Sequence, residues 1–157
     1  HWGPPMILSV TPFLWYDANA EPAIERYLSL FEGRVLSMNR HPDGTLFIGE
    51  IEIMGTKITL MNAGPTYKLT SAFSLAVSVE TQDEIDHLTA TLTEGGGHLE
   101  MCGWLVDAFG LSWQIVPTAL FQLMGDPDPE VGARVQAAML QMQVLNIAGL
   151  QAAALGA

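Results

Sequence analysis

The chain has 157 residues, 49% of them hydrophobic, and 17 acids against 6 bases give a formal net charge of −11. That length suits one domain, or two small modules over a shared core. The negative field argues against nucleic acid as a partner, and no apolar run reaches the roughly 18 residues of a membrane span.

His1–Pro5 reads as a tag remnant ahead of Met6, and no basic segment followed by an apolar one marks a secretory signal. A single cysteine, Cys102, excludes an internal disulfide and fits a reducing cytoplasm.

The first module, 6–65, opens with an expected strand from Ile7 to Tyr16. A helix over Glu21–Phe31 follows, with Ala23, Ile24, Tyr27 and Phe31 on one face, and Glu32-Gly33 ends it. Strands are expected at Arg34–Asn39, Thr45–Ile53 and Lys57–Asn62, with turns at Pro42-Asp43-Gly44 and Met54-Gly55. The second module, 66–117, repeats the order. It has a strand over Ala72–Glu80, a capping box Thr81-Gln82-Asp83-Glu84, and a helix buried through Ile85, Leu88 and Leu92. Gly95-Gly96-Gly97 ends that helix, and strands near His98–Cys102, Gly103–Asp107 and Leu111–Val116 complete the module.

Asp17 to Gly33 and Glu80 to Gly96 both span 16 residues, and Gly55 corresponds to Gly110, so Thr59 is the internal counterpart of Gln114. Residues 118–157 form a helical extension: a short helix at Ala119–Met124, a helix over Glu130–Gln143 primed by Pro129, and an apolar segment Val144–Ala157. That last segment is expected to cover the sheet or a partner subunit. The fold class is therefore α+β, two tandem βαβββ modules plus C-terminal helices.

Thr11-Pro-Phe-Leu-Trp-Tyr-Asp-Ala-Asn-Ala-Glu21, Asn62-Ala-Gly-Pro65, Cys102-Gly-Trp104, Gly110-Leu-Ser-Trp-Gln-Ile-Val-Pro117 and Met139-Leu-Gln-Met142 resemble the PhnB-like branch of the vicinal oxygen chelate superfamily. Glyoxalase I, bleomycin-resistance proteins and extradiol dioxygenases belong to that superfamily. The branch often carries the label 3-demethylubiquinone-9 3-methyltransferase. The resemblance implies strands that form a curled mixed sheet around a cleft, in a homodimer. It also implies, in metal-dependent members, four inward His, Gln or Glu ligands on the first and last strand of each module. Carried over, the strand-five position is Ser74, the strand-eight position Gln114, and the strand-four position Thr59. Ser9–Phe13 holds no His, Asp, Glu or Gln for strand one. A divalent metal needs converging imidazole or carboxylate donors, so no metal and no cofactor are expected. No Gly-rich loop of the kind that holds S-adenosylmethionine is present either, so the methyltransferase label has no chemical support.

Other candidates rest on residue type. His41, His87 and His98 lack ligand spacing. Cys102 is either a cleft-mouth nucleophile or a small buried thiol. Glu50 and Glu52 alternate with Ile51 and Ile53, so they are either a base or cation-binding pair, or the wet face of a sheet. Phe13, Trp15, Trp104 and Trp113, within an aromatic set that also holds Tyr16 and Phe109, could line a ligand cleft with Thr59, Ser74 and Gln114 as polar fixers. The first functional reading is a cytoplasmic, homodimeric protein binding a small organic molecule without a metal. The alternatives are binding-only sequestration of a bleomycin-type antibiotic, or a metal-independent enzyme using Glu50, Glu52 or Cys102.

Overall fold

The computed structural model describes residues 3–157, so the first two residues of the expected tag remnant, His1 and Trp2, lie outside the described residues. The chain divides into two compact units, residues 1–68 and 69–157, with the C-terminal helices inside the second. In unit one the elements run β1 Phe13–Tyr16, α1 Ala20–Leu30, β2 Gly33–Arg40, β3 Leu46–Ile53 and β4 Thr56–Asn62. Unit two holds β5 Ser74–Val79, α2 Gln82–Thr93, β6 His98–Leu99, β7 Trp104–Val106 and β8 Ser112–Pro117, then α3 Thr118–Met124, α4 Pro129–Met139 and α5 Ile147–Ala154.

The βαβββ order is present twice. The strands form two separate four-stranded sheets, ordered β1-β4-β3-β2 and β5-β8-β7-β6. In each, the first strand pairs parallel with the last and the remaining pairs are antiparallel.

Strand one is shorter than its sequence suggests. Only Phe13–Tyr16 pairs with β4, while Ile7, Leu8 and Val10 stay exposed. Pro12 has no amide to donate, so the ladder ends at its carbonyl, which accepts the Thr59 amide at 3.0 Å. The expected strand His98–Cys102 likewise shrinks to two residues. Cys102 takes a left-handed φ of 61° and Gly103 one of 84°. Their amides donate to the carbonyls of Met142 and Gln143, at 2.7 and 2.8 Å, instead of to a neighbouring strand. A Cβ on Gly103 would stand 2.9 Å from the Ile115 carbonyl oxygen, so this turn requires glycine.

Alternation along the strands decides what each sheet buries. In unit one Leu14, Tyr16, Ile51, Ile53, Ile58 and Leu60 lie in the core with Ala20, Ala23, Ile24 and Tyr27 of α1. Gly49 allows the close approach, since a Cβ there would meet the Ile24 Cδ1 at 2.5 Å. The Tyr16 and Tyr27 hydroxyls hydrogen-bond at 3.0 Å inside that core. In unit two Leu105, Trp113 and Ile115 are buried with Ile85, Leu88 and Leu92 of α2. The apolar C-terminal segment packs within its own unit: Val116, Leu120, Val135, Leu145 and Leu150 make one cluster.

Local chemistry fastens the ends. The Thr81–Glu84 capping box forms as expected. Glu84 is held below the usual carboxylate range, first by the Thr81 hydroxyl and then by the amides of Glu80 and Thr81. On the surface of unit one the Arg40 guanidinium donates to both carboxylate oxygens of Glu21 and lowers its pKa. Asp107, 2% exposed, closes the β7–β8 turn. One carboxylate oxygen accepts the amides of Phe109 and Leu111 at 2.8 and 3.0 Å, and the other accepts the Trp113 indole N–H at 2.9 Å.

Two outcomes follow from these contacts. Asp107→Ala should lower unfolding stability by about 2–4 kcal/mol in urea titration, because buried donors lose a charged acceptor. Asp107→Asn should cost less, since it can retain the amide bonds and loses mainly the indole bond. For Glu84 and Glu21 the folded pKa is depressed, so their stabilisation is present above the unfolded carboxylate pKa and vanishes as pH falls through the folded one. The stability deficits of Glu84→Gln and Glu21→Gln against the parent, measured at neutral pH, should therefore disappear at about pH 2.

Candidate functional site

Each sheet turns its second face away from its helix, and the residues expected to bind ligand fall mostly there. In unit one Phe13, Thr59 and Glu50 are direct cross-strand partners in one row, with Ser37 beyond Glu50. Trp15, Met61 and Ile48 form the next row on the same face. In unit two the corresponding row is Ala76, Gln114 and Trp104, beside the row Ser74, Ser112 and Val106. Gln114 thus occupies the register of Thr59, as the internal repeat requires, and Trp104 occupies the register of Glu50.

This pairing also settles the strand-one register. Ser74 precedes Ala76, the partner of Gln114, by two residues; Thr11 precedes Phe13, the partner of Thr59, by two residues. The four equivalent positions are therefore Thr11 and Thr59 in unit one, and Ser74 and Gln114 in unit two. All four are neutral. The Gln114 amide donates to the Ser74 hydroxyl at 3.0 Å, so these two side chains satisfy each other. Neither pair offers the imidazole or carboxylate donors that Mn²⁺, Zn²⁺, Fe²⁺ or Ni²⁺ need. Among the described residues no three His, Cys, Asp or Glu side chains gather where they could hold a metal ion.

Individual candidates separate clearly. Phe13 is 56% exposed. Trp15 is half-buried, fixed by its indole N–H on the Gly64 carbonyl at 2.8 Å and by an edge contact with Tyr67 at 5.0 Å between ring centroids. Trp113 must be removed from the ligand-facing set: it is 1% exposed, on the opposite face from Gln114, with its N–H on Asp107. Adjacent residues on a strand point to opposite faces, so the spacing of Trp113 and Gln114 already carried that signal. Glu50 and Glu52 do share the outward face and are half-buried. Glu52 lies 3.8 Å from the Arg34 guanidinium and opposite Lys57. Cys102 is half-buried in its left-handed turn, and none of the hydrogen bonds among the described residues joins its thiol to an acid, base or imidazole. His41, His87 and His98 are exposed; His41 stacks near Phe47 and His98 lies 3.6 Å from Glu100.

Several family-like residues prove to be fasteners. Asn62 accepts the Ala20 amide at 2.9 Å, starting α1 where Asn19 makes no side-chain cap, and its own amide donates to the Leu46 carbonyl at 3.2 Å. Gly64, at φ 86°, presents the carbonyl that holds Trp15. Ser112, on the Ser74 row, is 1% exposed and donates to Ser71 at 3.2 Å. Sequence reasoning did not single out Asn62, Ser112 or Asp107 as contact-makers. Two recesses in unit one are about 420 Å³ beside Glu32, Arg34, Glu52 and Met54, and about 290 Å³ beside Glu21, Glu25, Thr45 and Asn62.

Trp15→Phe removes the indole bond and leaves the Gly64 carbonyl without it, so urea unfolding should shift by about 1–2 kcal/mol. Phe13→Ser, at an exposed position, should shift it by less than about 0.5 kcal/mol.

The model of the family described as 3-demethylubiquinone-9 3-methyltransferase matches residues 8–116. No curated protein matches the chain. Among solved structures, a Bacillus cereus protein described as a putative 3-demethylubiquinone-9 3-methyltransferase, PhnB protein, is 28% identical. It superimposes with a TM-score of 0.64, covering 70% of this chain and 99% of its own. A Pseudomonas aeruginosa protein is 17% identical with a TM-score of 0.59, covering 71% of this chain and 98% of its own. The Listeria monocytogenes fosfomycin resistance protein FosX, solved with Mn(II) and sulfate, is 11% identical with a TM-score of 0.50, covering 71% of this chain and 91% of its own. At those last two identities the likeness concerns fold alone. The twofold βαβββ order and the family match over both units place this chain in the family described as 3-demethylubiquinone-9 3-methyltransferase.

Proposed function

We propose that this protein binds a small organic molecule on the outward face of a sheet and holds no transition metal at the superfamily position. The carrying observation is the neutral set Thr11, Thr59, Ser74 and Gln114, with Gln114 already hydrogen-bonded to Ser74. Ligand contact would come from Phe13 and Trp15 beside Thr59 on the unit-one sheet, or from Trp104 beside Ser74 and Gln114 on the unit-two sheet. The working form in this reading is a cytoplasmic homodimer with no cofactor. The family label implies a methyl transfer for which the chain offers no Gly-rich loop after a parallel strand.

A second reading is binding-only sequestration of a bleomycin-type aromatic compound. The exposed ring of Phe13 and the half-buried Trp15 on one sheet face support it. Catalysis by Glu50, Glu52 or Cys102 draws less support, since no imidazole or second carboxylate is hydrogen-bonded to any of them among the described residues.

Elemental analysis of the purified protein should find well under one equivalent of Mn, Fe, Ni or Zn per chain, and titration with Mn(II) should give no saturable binding. Stoichiometric metal that survives dialysis would overturn the metal-free reading. In the sequestration reading, a bleomycin-type compound in excess over its Kd raises the melting temperature; an unchanged melting temperature removes it.

A further inference from the structure

We propose that the outward face of the unit-one sheet takes an organic ammonium cation with an apolar or aromatic body, and that Glu50 is its counter-charge. This deepens the small-molecule reading above and rests on it.

The two glutamates of β3 share a face but not a situation. Glu52 has the Arg34 guanidinium at 3.8 Å and Lys57 as its cross-strand neighbour. Glu50, two residues along, has no Lys, Arg or His of the described residues within ion-pairing distance. Its cross-strand partners are Thr59 and Ser37, which carry no charge. The neighbouring row on the same face is Trp15, Met61 and Ile48, and Phe13 stands beyond Thr59 in the row of Glu50.

A half-buried carboxylate next to apolar side chains gives up part of its hydration without a counter-ion, and a ligand cation restores that loss. Phe13 and Trp15 supply aromatic rings for a cation–π contact and for packing of the apolar body. One carboxylate beside one hydroxyl is too small a donor set for a transition metal, which favours an organic cation. The net charge of −11 raises the local concentration of any such cation. Unit two lacks the device, because Trp104 occupies the register of Glu50 there.

The test is calorimetric titration of the full chain with phenethylammonium, its neutral isostere phenethyl alcohol, and MnCl₂. The ammonium should bind about tenfold or more tightly than the alcohol, as a charge-assisted contact requires. Glu50→Gln should erase that preference while its circular dichroism stays unchanged, and Glu52→Gln should keep it. Equal affinity for ammonium and alcohol would overturn the role of Glu50 and leave apolar binding standing. Absence of binding by either compound would overturn this proposal and count against the small-molecule reading as well. Mn(II) binding that Glu50→Gln abolishes would replace the organic cation with a metal.

Discussion

Each four-stranded sheet packs one face against a helix of its own unit, α1 in unit one and α2 in unit two, and that constraint organises both units. Leu14, Tyr16, Ile51, Ile58 and Leu60 lie in the core with α1, and Leu105, Trp113 and Ile115 lie in the core with α2. Apolar burial is the main stabilising term, so the register of every strand follows from keeping these residues inward. A slip by one residue would carry Leu60 outward and Thr59 inward. The outward rows Phe13–Thr59–Glu50 and Ala76–Gln114–Trp104 are consequences of that choice. Chemistry is available only where the core does not claim the side chain.

Seen this way, much of the sequence signature is mechanical. Asp107 ties a turn, two amides and an indole together. Asn62 caps a helix that begins 42 residues earlier in the chain. Gly103 lets β7 start beside Ile115 and the Met142–Gln143 carbonyls. Residues that look like candidate chemistry in a linear string are satisfied polar groups in the fold, as buried polar groups generally are.

The βαβββ repeat was legible because periodicity, turn residues and the Thr81–Glu84 capping box act over a few residues. The helices and most strands lie where those signals place them, with boundaries shifted by one or two residues, except that the helix expected over Glu130–Gln143 ends at Met139. Strand one and the strand at His98 end sooner than their sequences predict, for a different reason. Their apolar patterns continue, but Pro12 and the left-handed Cys102–Gly103 pair stop the ladder. For the site, the neutrality of Thr59, Ser74 and Gln114 was readable from residue type and repeat symmetry alone. Trp113 and Gln114 are neighbours in the chain, but strand alternation puts them on opposite faces of the sheet.

By itself the sequence determined the order of elements, the duplication, and the neutral side chains at Thr59, Ser74 and Gln114. These depend on residue identity and on spacing within one module. Tertiary structure alone decided that Asn62 starts α1, and that among the described residues Glu52 has a cation at 3.8 Å while Glu50 has none in ion-pairing distance. The physical reason is that each depends on cross-strand neighbours far apart in the chain. Which strands lie side by side, and in what register, is set by burying the whole core at once.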